Sequence, residues 1–324
     1  MNIDMIEAAA QRGTGHVRRT PLLSSPFLDK IAGRRVLIKA ECLQHTGSFK
    51  YRGGWSALSA MEPAQRKRGV IAYSSGNHAQ GVALAAAQHE TSAVIVMPLD
   101  APAVKIANTR ALGAEVVLYD RATQDRNALG QDLAQDRGLT LIKPFDEPQV
   151  IAGQGTCGLE IAEQAAELGV TRAQVLVCCG GGGLTSGVAL ALAHRAPDMR
   201  VHPVEPEGFD DVARSLAAGQ IVANSGPEKG LCDAILTRQP GDITFPILHR
   251  HCGAGLVVTE DDACRAMVHA FERLRIVAEP GGAVALAAAL FHGASLEAET
   301  VIVTVSGGNV DAVAFANILS ETRP

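Results

Sequence analysis

Lys50 stands in the run Gln44-His45-Thr46-Gly47-Ser48-Phe49-Lys50-Tyr51-Arg52-Gly53-Gly54. A lysine amine is a nucleophile only where its surroundings keep it neutral, and a turn of small residues opening a helix is a place to arrange that. Thr46 and Ser48 are of the type that caps a helix, Phe49 offers an apolar ring face, and Gly53-Gly54 admit a second backbone at close range. Gly180-Gly181-Gly182-Gly183 follow the apolar run Val175–Cys178 and precede Leu184-Thr185-Ser186. At a strand–helix junction, four glycines let successive N–H groups converge at a helix N-terminus, which makes a cup for a phosphate. No Gly-Lys-Ser/Thr sequel follows, so a nucleoside triphosphatase loop is disfavoured.

Tyr73-Ser74-Ser75-Gly76-Asn77-His78 is a second such junction, whose hydroxyls, amide and N–H groups could hold a carboxylate. A third, Val305-Ser306-Gly307-Gly308-Asn309, ends the last strand, and strand-end loops are where parallel sheets bind ligands. Amine, phosphate cup, carboxylate grip and hydroxyl are together what pyridoxal phosphate and an amino acid require. Gly153-Gln154-Gly155-Thr156-Cys157-Gly158 matches the dinucleotide pattern, but it follows a turn, Asp146–Gln149, and Gln174 stands near where the ribose-binding acid belongs. Close helix packing accounts better for those glycines.

The elements that must position these residues alternate. Val36–Ala40, Val70–Tyr73, Ala93–Met97, Glu115–Leu118, Val175–Cys178, Arg200–Val204 and Val301–Val305 read as strands. His78–Gln88, Ala103–Leu112, Asp125–Arg137, Thr185–His194 and Asp261–Leu274 read as helices. Continuous apolar strands alternating with helices predict an α/β fold with mostly parallel sheets. Gly- and Pro-rich loops bracket residues 65–145, which predicts a small inserted α/β domain within a larger one formed by 1–64 and 146–324, with the site in the cleft between them. Ala218–Pro240 is the least regular stretch and reads as surface loops.

With 324 residues, 47% hydrophobic and a net charge of −5, the chain has material for substantial cores and no basic surface for nucleic acid. Ala283–Phe291, the longest apolar stretch, is too short to span a membrane, and Met1-Asn2-Ile3-Asp4 does not begin an export signal. Seven scattered cysteines without a CxxC pair suit a reduced, cytoplasmic protein.

The motifs Thr46–Gly53, Ser74–His78, Gly180–Gly183, Glu279-Pro280-x-Gly282-Ala283 and Ser306–Asn309, in this order, resemble the serine/threonine dehydratase and serine racemase family of fold type II pyridoxal-phosphate enzymes, from about Thr20 to Asp311. The resemblance implies a tryptophan-synthase-β-like fold with the cofactor in the interdomain cleft, a homodimer and a small amino-acid substrate. It implies that Lys50 is the Schiff-base lysine and removes the Cα proton. Phe49 would lie against the ring, Asn77 would bond its 3-hydroxyl, and Gly180–Gly183 with Leu184 would hold the phosphate. Glu279 would stand beside the cofactor, and Ser306 would face the ring nitrogen. Ser74, Ser75, Asn77, His78 and Phe145 would contact the substrate. Glu205, the Phe209 carbonyl and Asp211, within Val204–Asp211, resemble the family's divalent-cation loop and supply hard oxygens suited to Mg²⁺, Ca²⁺ or Mn²⁺.

The implied reaction is a β-elimination that turns an L-β-hydroxy amino acid into a 2-oxo acid and ammonia. Ser75 is where racemases place an opposing acid/base, so an amino-acid racemase is the alternative. A non-catalytic pyridoxal-phosphate- or nucleotide-binding protein is a distant one. Relatives often read Ala-Asp-Gly where this chain has Cys232-Asp233-Ala234, and racemases tend to be polar at Phe145. The chain also leaves no room for a C-terminal regulatory domain.

Overall fold

A computed structural model describes all residues except Ser75, Pro102, Pro227, Glu228, Arg323 and Pro324, and the side chain of Val104. Among the described residues ten strands form two sheets: β1 (Leu22–Ser24), β2 (Arg35–Ala40), β3 (Val70–Tyr73), β4 (Ala93–Pro98), β5 (Glu115–Tyr119), β6 (Thr140–Leu141), β7 (Ala173–Cys178), β8 (Met199–Pro206), β9 (Leu256–Val258) and β10 (Thr300–Val305). The larger sheet runs β1-β2-β10-β7-β8-β9 and the smaller β5-β4-β3-β6. Every pairing is parallel except β1 with β2. β1, β6 and β9 escape the sequence reading because two or three residues are too few to show a period.

The remaining strands are apolar on both faces, and the two faces feed different cores. Val36, Ile38, Leu176, Val301 and Val303 pack with the Pro280–Phe291 helix, whereas Leu37, Val175, Val177 and Ile302 pack with the helices Pro148–Glu167 and Gly183–Arg195. Alternate residues thus cover both sides of one sheet, as buried parallel strands require. The Ala283–Phe291 stretch lies inside the Pro280–Phe291 helix, and no helix among the described residues is long and apolar enough to cross a membrane.

Three helices cross at their backbones. A Cβ on Gly54 would come 2.9 Å from the Gly81 carbonyl oxygen, and one on Gly81 would come 2.9 Å from the Lys50 carbonyl carbon. Gly153 lies within the Pro148–Glu167 helix, where a Cβ would come 2.3 Å from the Arg52 carbonyl oxygen. The G-x-G-x-x-G run is therefore a helix-packing face, lying within a helix rather than at a strand–helix turn.

Candidate active site

The turn that opens the Lys50–Ser59 helix is tied to the end of β10. Ser48 bridges Gly307, the Phe49 N–H donates to the Ser306 carbonyl at 3.1 Å, and the Gly308 N–H donates to the Gly47 carbonyl at 2.9 Å. Thr46 and Gly47 both take left-handed conformations, φ +58° and +71°, the first uncommon for a threonine. The predicted capping by Thr46 and Ser48 does not occur. Phe49 is the N-cap residue, and both hydroxyls are buried without a partner, because the turn spends its hydrogen bonds on β10.

This turn lifts Lys50 into a cleft lined from both sheets, among others by Phe49, Ser74, Asn77, His78, Phe145, Gly180–Gly183, Leu184 and Glu279. The Lys50 amine donates to the Pro144 carbonyl at 2.7 Å and lies 5.2 Å from the Phe49 ring centre. Burial pushes its pKa down to about 8, with Glu279 pulling the other way. A desolvated ammonium with no carboxylate in contact gives up its proton readily. Burial also pushes Glu279 up to about 7, although Asn77 donates to it at 2.6 Å. Asn309 donates to the Asn77 side-chain oxygen at 2.7 Å, so the Asn77 amide is fixed from both sides. His78 is driven down to about 3 by burial and then by Lys50. It is therefore neutral, and its Nε2–H donates to the Ile142 carbonyl at 3.0 Å.

At the opposite wall, Gly182 takes φ +91° and begins the Gly183–Arg195 helix without a side-chain cap. A Cβ on Gly181 would come 2.4 Å from the Phe145 ring. Among the described residues, the N–H groups of Gly180 to Thr185 find no backbone or side-chain acceptor, and the buried Thr185 hydroxyl is unpartnered. Donors converging on a space that glycine alone leaves open fit a phosphate. The residues present thus suit pyridoxal phosphate.

The other predicted residues divide. Ser306 is buried beside the Cys178 thiol, and it is Cys178 that lines the cleft. Ser74 accepts from the Gly76 N–H at 3.2 Å, while Ser75 lies outside the described residues. Residues 219–243 contain neither helix nor strand among the described residues, but they are not merely surface: Cys232 and Ile235 are buried, and Asp233 to Thr237 line the cleft. Lys105 and Arg126 line it too and escaped the sequence reading, since a basic residue on an amphipathic helix carries no local signal.

Glu205 and Asp211 lie close to one another outside the lining of the cleft, with Phe209 in the turn between them in sequence. Glu205 accepts from the Val212 and Ala213 N–H groups at 2.9 and 2.7 Å, and Asp211 accepts from Asn224 at 2.7 Å while its other oxygen has no partner. Burial and then Asp211 push Glu205 well above its ordinary value, and burial pushes Asp211 up to about 7. Two buried acids without a cation fit a hard divalent ion. Among the described residues no group of three or more His, Cys, Asp or Glu side chains converges.

Several known proteins are similar to this chain over nearly its whole length. The chain is 44% identical over 316 residues to an L-threo-3-hydroxyaspartate ammonia-lyase of Pseudomonas sp, covering 98% of this chain and 97% of that protein. It is 39% identical over 318 residues to a serine racemase of Schizosaccharomyces pombe, with the same coverage. The crystal structure of a threonine deaminase from T.th. superposes with a TM-score of 0.90 at 45% identity, over 96% of this chain and 99% of that one. The family model described as pyridoxal-phosphate dependent enzyme matches residues 13–307, and with the buried amine and the donor-lined cradle already in place, the chain belongs to that family.

Proposed function

We propose that the protein is an ammonia-lyase acting on an L-β-hydroxy amino acid of the serine/threonine or 3-hydroxyaspartate type. The observation that carries this reading is the Lys50 amine, buried, free of any carboxylate contact and facing the same cleft as the N–H cradle. The names of relatives point the same way, toward ammonia-lyases of 3-hydroxyaspartate and threonine.

Gly180–Gly183 with Leu184 and Thr185 would hold the cofactor phosphate, Phe49 the ring face, Asn77 and Glu279 the ring hydroxyl edge, and Ser306 the ring nitrogen. Lys50 would attach the cofactor covalently. When bound, pyridoxal phosphate supplies a conjugated ring that takes up the electron pair left on Cα. Ser74, Ser75, Asn77 and His78 hold the substrate carboxylate. That fixes Cα beside Lys50, which accepts its proton, and tethering substitutes for a bimolecular encounter. The Cα–H and Cβ–O bonds break, a carbon–carbon double bond forms and water leaves. After release the enamine takes water back at C2 and loses ammonia, giving the 2-oxo acid. Phe145 bounds the side-chain space. Glu205, the Phe209 carbonyl and Asp211 hold Mg²⁺ or a similar ion as a brace for the Asp211–Ala218 helix.

Racemisation is the second reading, supported by the relatives named serine racemase. Incubating L- and D-β-hydroxy amino acids with the purified enzyme and scoring both 2-oxo acid and the opposite enantiomer separates the two. Oxo acid in a Lys50-dependent yield is expected. Predominant enantiomer formation would sink the lyase reading.

A further inference from the structure

Gly180–Gly183 carry no side chains, so the loop has nothing of its own to hold its shape. Its donors must be fixed from outside, and Thr244 is placed to do that. This residue begins the Thr244–His251 helix and is wholly buried behind the loop. Its hydroxyl donates to the Gly181 carbonyl at 2.7 Å and accepts from the Gly241 N–H at 2.9 Å. Its carbonyl accepts from the Ser186 hydroxyl at 3.2 Å, so Thr244 grips the loop on both sides. The N–H groups of Ile243 and Thr244 donate to one oxygen of Asp146, at 2.8 and 3.3 Å. Asp146 belongs to the segment whose Pro144 carbonyl accepts from Lys50. The packing is close: a Cβ on Gly182 would come 3.1 Å from the Thr244 Cβ and 2.8 Å from a Leu248 methyl.

The planarity of the peptide group gives this contact a consequence. In a trans peptide the carbonyl and the N–H that follows it point in opposite directions, and no cis bond occurs among the described residues. With the Gly181 carbonyl drawn back to Thr244, the Gly182 N–H is turned away from that helix, toward the cleft that both glycines line. We propose that Thr244 is a positioning residue whose hydroxyl aims the Gly182 N–H at the cofactor phosphate. The proposal rests on the cradle holding that phosphate, and not on which reaction follows. A donor set before the phosphate arrives need not be ordered on binding. Without the hydroxyl the Gly181–Gly182 peptide, with glycine on either side, is free to rotate. The Gly241 N–H also reaches the Gly181 carbonyl, but at 3.3 Å it is the weaker restraint.

The test compares enzyme loaded with pyridoxal phosphate and enzyme loaded with pyridoxal, which lacks the phosphate. Each dissociation constant is read from the bound-cofactor absorbance on serial dilution. Thr244→Val keeps the shape and removes the hydroxyl. It should weaken pyridoxal phosphate roughly tenfold, the share of one charge-assisted donor, while pyridoxal binding stays as in the wild type. Thr244→Ser, which keeps the hydroxyl and drops the methyl group, should restore the wild-type ratio. The phosphorus-31 resonance of the bound cofactor should move in the valine variant and not in the serine one. Where valine prevents folding, Thr244→Ala set against Thr244→Ser makes the same comparison. Equal weakening of both cofactors would mark a purely structural role and overturn the proposal. So would a ratio unmoved by loss of the hydroxyl, or a serine variant as impaired as the valine one. Wild-type enzyme that holds pyridoxal as tightly as pyridoxal phosphate would defeat the cradle itself, and the proposal with it.

Discussion

Lys50 and Arg52 sit two residues apart at the start of one helix, the first half-buried in the cleft and the second fully buried, and their charges meet opposite fates. Arg52 forms a two-bond fork with Glu41 at 2.7 and 2.8 Å and a second with Glu160 at 2.7 and 2.9 Å. Lys39 bonds Glu160 at 2.5 Å from the other side. Burial would depress the guanidinium, but Glu41 and Glu160 outweigh it and hold Arg52 well above its usual value. Glu41 is pushed up by burial and more than pulled back by Arg52 and Lys39, ending below the ordinary carboxylate range. Lys50 meets one carbonyl and an aromatic ring, so burial wins and the proton is loosened. Burial alone therefore makes no nucleophile. What distinguishes the reactive cation is that no carboxylate has been built to face it.

The contrast can be broken most severely at Lys50 itself. Lys50→Ala should lower kcat by more than about 10⁴-fold, since attachment and proton transfer are lost together. Its urea midpoint should stay close to that of the wild type, because no ion pair is removed. Arg52→Ala should do the reverse, costing about 3–5 kcal/mol of unfolding free energy by leaving two carboxylates buried with only Lys39. A loss below about 1 kcal/mol in equilibrium denaturation would show the forks to be dispensable.

Glu205 and Asp211 are the mirror case, acids buried without a cation. Mg²⁺ at a hundred times its Kd should add about 2.7 kcal/mol to the stability, read as a rise in melting temperature, and Asp211→Asn should abolish that rise. The remaining effect is in pH. Lys50 titrates near 8 when folded, against 10.5 for an ordinary exposed lysine. Between those values the unfolded chain binds a proton that the folded chain lacks, so stability should rise with pH across that window. Lys50→Met in the cofactor-free protein should lack this rise, and denaturation curves at pH 8 and pH 10 compare the two directly.

Much of this was legible in the sequence, and the gaps have physical reasons. Runs such as Val70–Tyr73 and Val301–Val305 announce strands because both faces are apolar, and Gly180–Gly183 announces a cradle because tetraglycine at a strand–helix junction has few other uses. Lys105 and Arg126 stayed hidden, since only the fold brings residues of two different helices to one cleft. The forks on Arg52 were invisible for the same reason: Glu41 is near in sequence, but Glu160 is more than a hundred residues away. The hydroxyls of Thr46 and Ser48 were misread because capping is a local inference, and β10 competes for that backbone from outside the segment.

The glycine crossings bear on how this molecule can be altered. The Lys50–Ser59 helix is keyed at Gly54 into the Asn77–Gln88 helix and at Arg52 into Gly153, with clearances of 2.9 and 2.3 Å for one added carbon. The reactive amine and the turn ahead of Asn77 are thus parts of a single casting. Redesign for a new substrate can reshape the walls at Phe145, Lys105 or Asp233 freely. A methyl group on Gly54, Gly81 or Gly153, none of which lines the cleft, would move the amine off its mark.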